Sequence, residues 1–272
     1  MRAPGVKVTR DNVAGDSVAA STLFAHIEAL HGDRSWGSVL DAGTGSGSIR
    51  WIQSLSTERW TAVTGAEGHA LQVQALAEAR RRPADRIVLG NWADPRLLAG
   101  ETYDTVLADY LLGAIDGFAP FFQERLFARL RPLTGGRLYV VGIDPYVPAD
   151  EPGERAAHIV WRIGRLRDSC LLLAGERPYR EYPAEWVVEN LHRSGFEPVS
   201  AERFPIRFGR RFVEAQIAMC TQRLSRLADR TLAAALESHA VALRDDALSH
   251  VEEAGSLPCG HDYVIAAEPR RA

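Results

Sequence analysis

Residues 39–50 read V-L-D-A-G-T-G-S-G-S-I-R. An apolar run ends on a carboxylate, Asp41. Glycines follow at alternate positions, Gly43, Gly45 and Gly47, around Thr44, and then a helical pattern begins. Glycine lets the backbone turn tightly and come close to a ligand with no Cβ in the way. The free N–H groups at the start of the following helix favour polar or anionic ligand groups. The stretch predicts a nucleotide-type cofactor site at the first strand-to-helix turn of an α/β sheet.

Two other glycine-rich chemistries are separable by spacing. A dinucleotide fingerprint, G-x-G-x-x-G counted from Gly43, needs its third glycine at position 48, which is Ser48. A phosphate loop needs Gly-Lys-Ser/Thr, and the only lysine of the chain is Lys7. A nicotinamide-type oxidoreductase is therefore the weaker alternative, and a P-loop nucleotidase is excluded.

Periodicity gives the elements that must position this turn. Met1–Val13 has little pattern and is expected to be a loose arm. Asp16 or Ser17 could cap a helix carrying Val18, Leu23, Phe24, Ile27 and Leu30. Strands are expected at Ser38–Ala42, Trp60–Ala66, Arg86–Leu89, Tyr103–Ala108, Arg137–Ile143, Phe196–Pro205 and His261–Ala267. Helices are expected at Gly47–Leu55, at His69–Arg82 before Pro83, and at Phe118–Leu130 before Pro132 and a Gly135-Gly136 turn. Further helices are expected at Glu154–Ala174, at Pro183–Ser194 and as two within Arg211–Ala254. Strands alternating with helices imply a mostly parallel sheet with helices on both faces, and ligands at its carboxyl edge. The residues to inspect follow the strands: Asp41–Gly47, Glu67, Asn91-Trp92, Asp109-Tyr110 and Asp144–Tyr146.

The 272 residues are 46% hydrophobic and 25% charged, which suits one large α/β domain. A formal net charge of −3 gives no global attraction to nucleic acid or to an anionic membrane. The three cysteines, Cys170, Cys220 and Cys259, have neither zinc spacing nor a disulfide pattern. Met1–Arg10 lacks the apolar run of a signal peptide, and no stretch approaches the ~18 apolar residues of a span. A cytoplasmic protein is the default expectation.

The order of elements over Ser38–Glu268 and the motif V-L-D-A-G-T-G-S-G resemble the class I S-adenosylmethionine-dependent methyltransferases. The resemblance implies a Rossmann-like three-layer sandwich. Its seven-stranded sheet is mostly parallel, with an antiparallel last strand inserted between the fifth and the sixth. It implies S-adenosylmethionine as cofactor, with its methionine part over Asp41, Gly43, Thr44, Gly45 and Gly47. Its ribose hydroxyls would lie on Glu67, next to Gly68, since a carboxylate can accept from both. Gly90-Asn91-Trp92 stands where the family places the adenine and often has Asp. An Asn91 oxygen could still accept from the adenine amino group, and Trp92 could either pack on the ring or belong to the core. Asp109 would line the same site.

The whole chain, 1–272, is then a single methyltransferase domain, with helical insertions at about 150–182 and 211–255 forming a cap over the site. Tyr110, Tyr146, Glu181 and Tyr182 are candidates for the substrate pocket. The insertions suggest an enclosed pocket for a small molecule, and they could equally form a homodimer interface. Methyl transfer needs an aligned nucleophile and, for a hydroxyl or cationic amine, loss of a proton. A base with a pKa near the working pH favours histidine, so His261 is the first candidate, with Asp144 a second. No metal is expected. Asp109-Tyr110-Leu111-Leu112 lacks the Pro-Pro-Tyr-like motif of DNA and protein amide methyltransferases. The expected reaction is transfer to an O or N atom of a small molecule, without nucleic acid or membrane partners. The alternative of another class is a cofactor-binding partner or scaffold protein that transfers nothing.

Overall fold

The computed structural model describes the backbone of residues 17–270 and the side chains of residues 22–270. The arm expected over Met1–Val13 lies outside the described residues, and the cap expected at Asp16 or Ser17 outside the described side chains. The chain runs α1 (Ser17–His31), β1 (Ser38–Asp41), α2 (Ser46–Ile52), β2 (Arg59–Thr64), α3 (Glu67–Ala77), β3 (Arg86–Leu89) and β4 (Tyr103–Asp109). It continues with α4 (Leu111–Ala114), α5 (Gln123–Leu130), β5 (Thr134–Ile143), α6 (Arg155–Leu173) and α7 (Ala184–Arg193). It closes with β6 (Phe196–Phe208), α8 (Arg210–Leu224), α9 (Arg230–Ala254) and β7 (Leu257–Pro269).

The seven strands form one sheet in the order β3-β2-β1-β4-β5-β7-β6, with β7 antiparallel to both its neighbours. The order reverses between β1 and β4, which places a crevice at their carboxyl ends. Because successive strand residues point to opposite faces, the sheet builds two cores. Leu40, Val106, Val140 and Ile265 meet Leu126 and Phe127 of α5 and Val187 of α7 on one face. Val39, Leu107, Val141 and Val264 meet Phe24 and Ile27 of α1 and Ile49 of α2 on the other. Sheet and two helical layers make the three-layer sandwich. A third apolar cluster joins α6, α8 and α9 to the far end of the β6–β7 hairpin.

Two carboxylates, the exposed Asp104 and the buried Asp85, fix the central strands. Asp104 accepts from the Ser38 N–H at 2.8 Å and the Ser38 hydroxyl at 2.7 Å, which pins β1 to β4. Asp85 accepts from the Trp60 N–H at 3.0 Å and from Arg82 Nη2 at 2.9 Å, which holds the entrance to β2.

Several boundaries differ from the periodicity. The helix expected over Phe118–Leu130 begins only at Gln123. Pro120 has no N–H to donate, and Phe121 takes a left-handed φ of 66°. The Asp116 carboxylate then receives the Phe121 N–H at 3.3 Å and the Gln123 amide at 3.0 Å. A short helix, α4, forms upstream and is followed by a 3-10 turn over Ile115–Gly117. The helix expected over His69–Arg82 starts earlier, at Glu67, and tightens to a 3-10 turn after Ala77. Gly135 and Gly136, read as a turn, lie within β5, where any Cβ on Gly136 would strike the Asp104 carbonyl. Strands β6 and β7 pair well beyond the sheet, as far as Phe208 opposite Leu257, so His261 sits inside β7 instead of starting it.

Among the described residues, no helix is long and apolar enough to cross a membrane.

Candidate functional site

The glycine turn is pinned from both sides. Ala42 N–H donates to the Leu107 carbonyl at 2.8 Å, and Thr44 N–H to the Val63 carbonyl at 2.9 Å. Gly45 caps α2 in extended conformation and receives Ser48, whose hydroxyl accepts the Gly45 N–H at 2.9 Å. None of Gly43, Gly45 and Gly47 has positive φ. At Gly43 the constraint is close approach: a Cβ there would lie 2.8 Å from Leu111 Cδ1, whereas one on Gly47 would make only ordinary contact with Phe24 at 3.9 Å.

Asp41 is fully buried under this turn, and neither of its carboxylate oxygens has a well-formed hydrogen bond; the Thr44 hydroxyl is orphaned with it. Burial pushes Asp41 up to about 6, although Ser48, Thr44 and the Gly43 N–H lie near enough to offset part of that cost. Asp109, at the end of β4, is half-buried. Burial drives its carboxyl up to about 8, and repulsion from Asp41 and Asp262 adds to the shift. Asp262 of β7 is buried opposite Ile143 and pushed up to about 6 by burial, while a hydrogen bond from Tyr110 pulls the other way. Three carboxylates from three strands thus meet at one edge of the sheet, with Asp109 feeling both of the others. Buried carboxylates crowded in this way favour either protons or a cationic ligand. Among the described residues, no group of three or more His, Cys, Asp or Glu side chains is arranged to hold a metal ion.

The other residues expected at the cofactor are placed as follows. Glu67 opens α3 and is exposed, with open space beside Gly68. Asn91 is committed within the protein: its Nδ2 donates to the Phe118 carbonyl at 2.7 Å, and its Oδ1 accepts the Ala93 N–H at 2.9 Å. Trp92 is buried and donates from Nε1 to the Ala42 carbonyl at 2.6 Å, so the ring braces the turn from the core side. Between Gly43, Gly65 and Gly90 only a small void of ≈ 20 Å³ remains, walled by Leu111, Ile115 and Phe118. Phe118 sits so closely over Gly65 that a Cβ there would be 2.7 Å from its Cδ1. In this conformation α4 and the turn after it cover the glycine loop.

A larger cavity, ≈ 130 Å³, opens beside it. Tyr110 and Asp262 stand on its sheet side; Tyr146, Arg167, Glu181 and Gln216 are among its polar lining. Tyr110 has a left-handed backbone, φ 47° and ψ 20°, an uncommon state for a residue with a Cβ. Its hydroxyl donates to Asp262 Oδ1 at 2.7 Å. Tyr146 is buried and accepts at its hydroxyl from Arg167 Nη1 at 2.6 Å. Burial pushes its phenol up to about 12 against the opposing pull of Arg167. Tyr182 packs against Trp186 with ring centroids 4.3 Å apart, and its carbonyl accepts from the Tyr263 hydroxyl at 3.0 Å.

Asp144 and His261 lie outside the cavity lining. Asp144 receives the Ala184 N–H at 3.0 Å and Arg203 Nε at 2.6 Å. Burial opposes its charge, but Arg203 and the Ala184 N–H outweigh that and hold the carboxyl below its ordinary value. Asp144 therefore anchors the start of α7 to β6. The His261 side chain is exposed, and its carbonyl accepts from the Asp144 N–H at 2.9 Å. The structure brings together Asp41, Asp109, Tyr110, Tyr146, Glu181 and Tyr182 along one edge, and it adds Asp262, Arg167 and Gln216. Alternation along β7 does not single out Asp262, because both faces of the strand are buried from 262 to 267. Arg167 and Gln216 sit on the apolar stripes of α6 and α8, where a polar residue stands out.

No protein-family model and no curated protein matches the chain. Solved structures do. A candidate methyltransferase of Bacillus halodurans is 14% identical over 91% of this chain and 99% of that one, with a TM-score of 0.61. The [4+2]-cyclase SpnF is 18% identical over 97% of this chain and 86% of that one, TM-score 0.54. The mycolic acid cyclopropane synthase CmaA1, solved with SAH and CTAB, is 16% identical over 91% of this chain and 83% of that one, TM-score 0.52. What they share with this chain is the fold, that of the class I methyltransferases.

Proposed function

We propose that the protein binds S-adenosylmethionine over the glycine turn and transfers its methyl group to an oxygen or nitrogen of a small molecule held in the neighbouring cavity. The observation that carries this reading is the meeting of Asp41, Asp109 and Asp262 beside the turn, with both Asp41 oxygens unpartnered. A ligand carrying an ammonium and a sulfonium relieves that repulsion. The polar groups therefore fit the cofactor, and CmaA1, with the same fold, was solved with SAH. The space fits only after a movement: Leu111, Ile115 and Phe118 now take up the room over Gly43 and Gly65.

When bound, S-adenosylmethionine supplies a methyl group on a positively charged sulfur. Everything else is the work of the chain. Asp262, facing both the acidic edge and the cavity, is placed to take the proton of an acceptor hydroxyl or ammonium. The Tyr110 hydroxyl fixes the rotamer of that carboxylate and stabilises its charged form. Tyr146 and Tyr182, with the residues contributed by α6 and α8, exclude water and orient the acceptor, the part of catalysis that positioning supplies. Of the two segments, 150–182 contributes Arg167, Tyr179, Glu181 and Tyr182 to the cavity lining, and 211–255 contributes Phe212, Gln216 and Met219, all from α8.

The closed cleft favours one second reading, a protein that uses this fold without methyl transfer. Calorimetry with S-adenosylmethionine, SAH and NAD separates the possibilities. Binding of the first two, weakened by Glu67→Ala and by Asp41→Asn, is expected. Binding of NAD alone overturns the proposal. Binding of S-adenosylmethionine with no SAH formed against any phenol, amine or carboxylic acid favours the non-catalytic reading.

A further inference from the structure

The geometry points to an acceptor that carries a cationic amine, seated on Glu181 among the aromatic rings of the cavity and apart from the Asp262–Tyr110 pair. The inference rests on reading this cavity as the acceptor site. Glu181 is half-buried in the lining and has no hydrogen bond or ion pair with any described residue. A carboxylate left in that state is an open acceptor site, because a buried charge without partners is costly.

Among the described residues, the one cation of the lining, Arg167, already has partners. Arg167 is buried; its Nε donates to Asp168 Oδ1 at 2.8 Å, and its Nη2 lies 2.7 Å from the same oxygen. Its Nη1 donates to the Tyr146 hydroxyl at 2.6 Å and to Gln216 Oε1 at 3.2 Å. A carboxylate ligand would have to compete with Asp168 for this guanidinium and lie against Glu181. The nearby cations Arg177 and Arg180 are exposed, outside the lining, and lie over the Phe121 ring at 4.9 and 5.9 Å. Asp168 offsets part of the Arg167 charge, and the lining carboxylates that no cation among the described residues pairs are Glu181 and Asp262.

The remaining surface suits an organic ammonium. Tyr146, Tyr179, Tyr182, Phe208 and Phe212 line the same cavity, and Phe208 stacks on Phe212 with centroids 3.9 Å apart. Aromatic faces attract a desolvated cation, and a carboxylate completes the pair. Burial raises the Glu181 carboxyl to about 7, against the pull of Arg167 and with Asp168 adding to the rise, so an arriving ammonium would also relieve that cost.

The test uses the full chain and three probes that share a phenyl ring and a short chain: 2-phenylethylamine, 2-phenylethanol and 3-phenylpropionate. Affinities are measured by calorimetry at pH 8, with and without SAH. The amine is expected to bind about tenfold more tightly than the alcohol, the worth of one charge-assisted hydrogen bond, and the carboxylate least. Glu181→Gln is expected to erase the preference for the amine while SAH affinity and melting temperature stay unchanged. Equal or tighter binding of the carboxylate overturns the inference, as does a preference that survives Glu181→Gln or an amine that does not bind. Loss of SAH binding alone, with the amine preference intact, counts against methyl transfer and leaves the amine site standing.

Discussion

Tyr110 donates its phenolic hydrogen to Oδ1 of Asp262 across 2.7 Å, joining the residue after β4 to the antiparallel strand β7. Only the antiparallel insertion of β7 brings these two residues, far apart in sequence, to the same edge. The bond links the segment that covers the glycine turn to the carboxylate that faces the cavity. A group in that position ties the cover of the turn to the proposed proton acceptor.

The first prediction concerns this pair. Asp262 accepts a proton only when ionised, so turnover should rise as pH increases through about 6, where burial sets its carboxyl. Asp262→Asn should lower kcat on the order of 10²-fold or more, the usual worth of a positioned general base. Tyr110→Phe removes the hydrogen bond that pulls the Asp262 pKa down, so the midpoint of the pH profile should move upward. The check is a pH series of initial rates for the three proteins; an unmoved midpoint in Tyr110→Phe removes the tyrosine from that role.

The glycine turn was the most legible part of the chain, because Asp41, Gly43 and Gly45 lie within a few residues of one another at the end of a strand. The strand order and the antiparallel β7 followed from the resemblance that this turn suggested. Residues whose placement depends on distant packing were harder to read. Asp262 and His261 are neighbours in sequence, and because both faces of β7 are buried beyond them, alternation does not show which one is buried. Arg167 lies on the same stripe of α6 as Ile163 and Cys170, a placement that shows only once the helix is packed. The closure by Leu111 and Phe118 could not be read locally at all. It depends on the left-handed turns at Tyr110 and Phe121, which no nearby glycine announces.

The second prediction concerns that closure. If the segment from Leu111 to Phe118 must leave the glycine turn before the cofactor enters, the closed state reduces apparent affinity by the fraction of open protein. Phe118→Ala should then speed SAH association and tighten binding by about three- to tenfold. Stopped-flow fluorescence can follow the event through Trp92, which borders the void. Unchanged association in Phe118→Ala would show that the ring does not control entry.

A third prediction tests the frame beneath the site. Asp85 is buried at the entrance to β2, and burial alone would raise its pKa. Its hydrogen bonds from Arg82, the Arg82 N–H and the Trp60 N–H outweigh that effect and hold the carboxyl below its ordinary value. A lowered folded pKa means that its stabilisation is present above the unfolded value of about 4 and is lost as pH falls through the folded one. Asp85→Ala strands buried donors and should cost roughly 2–4 kcal/mol by urea unfolding at neutral pH. The difference from wild type should shrink in acid. A cost below about 0.5 kcal/mol, the scale of ordinary surface substitutions, would show that β2 does not depend on this clamp.

The last prediction runs in the opposite direction. Burial and the fields of Asp41 and Asp262 set the Asp109 carboxyl at about 8, far above an ordinary value of 3.8. The folded protein therefore keeps a proton that the unfolded chain releases. The stabilisation this gives is complete below about pH 4 and disappears as pH rises through about 8. Ligand-free protein should lose thermal stability across that interval, and Asp109→Asn should flatten the loss. For a chain of this size each kcal/mol appears as about 2–4 °C in melting temperature. A cationic ligand beside the three carboxylates favours their ionised forms, so the thermal shift caused by S-adenosylmethionine should grow from pH 6 to pH 8. The same titration with SAH, which lacks the sulfonium charge, should give a smaller increase. Equal pH dependence for the two ligands would mean that the acidic edge does not sense the sulfonium, and Asp109→Asn at both pH values would then show whether it senses the shared ammonium.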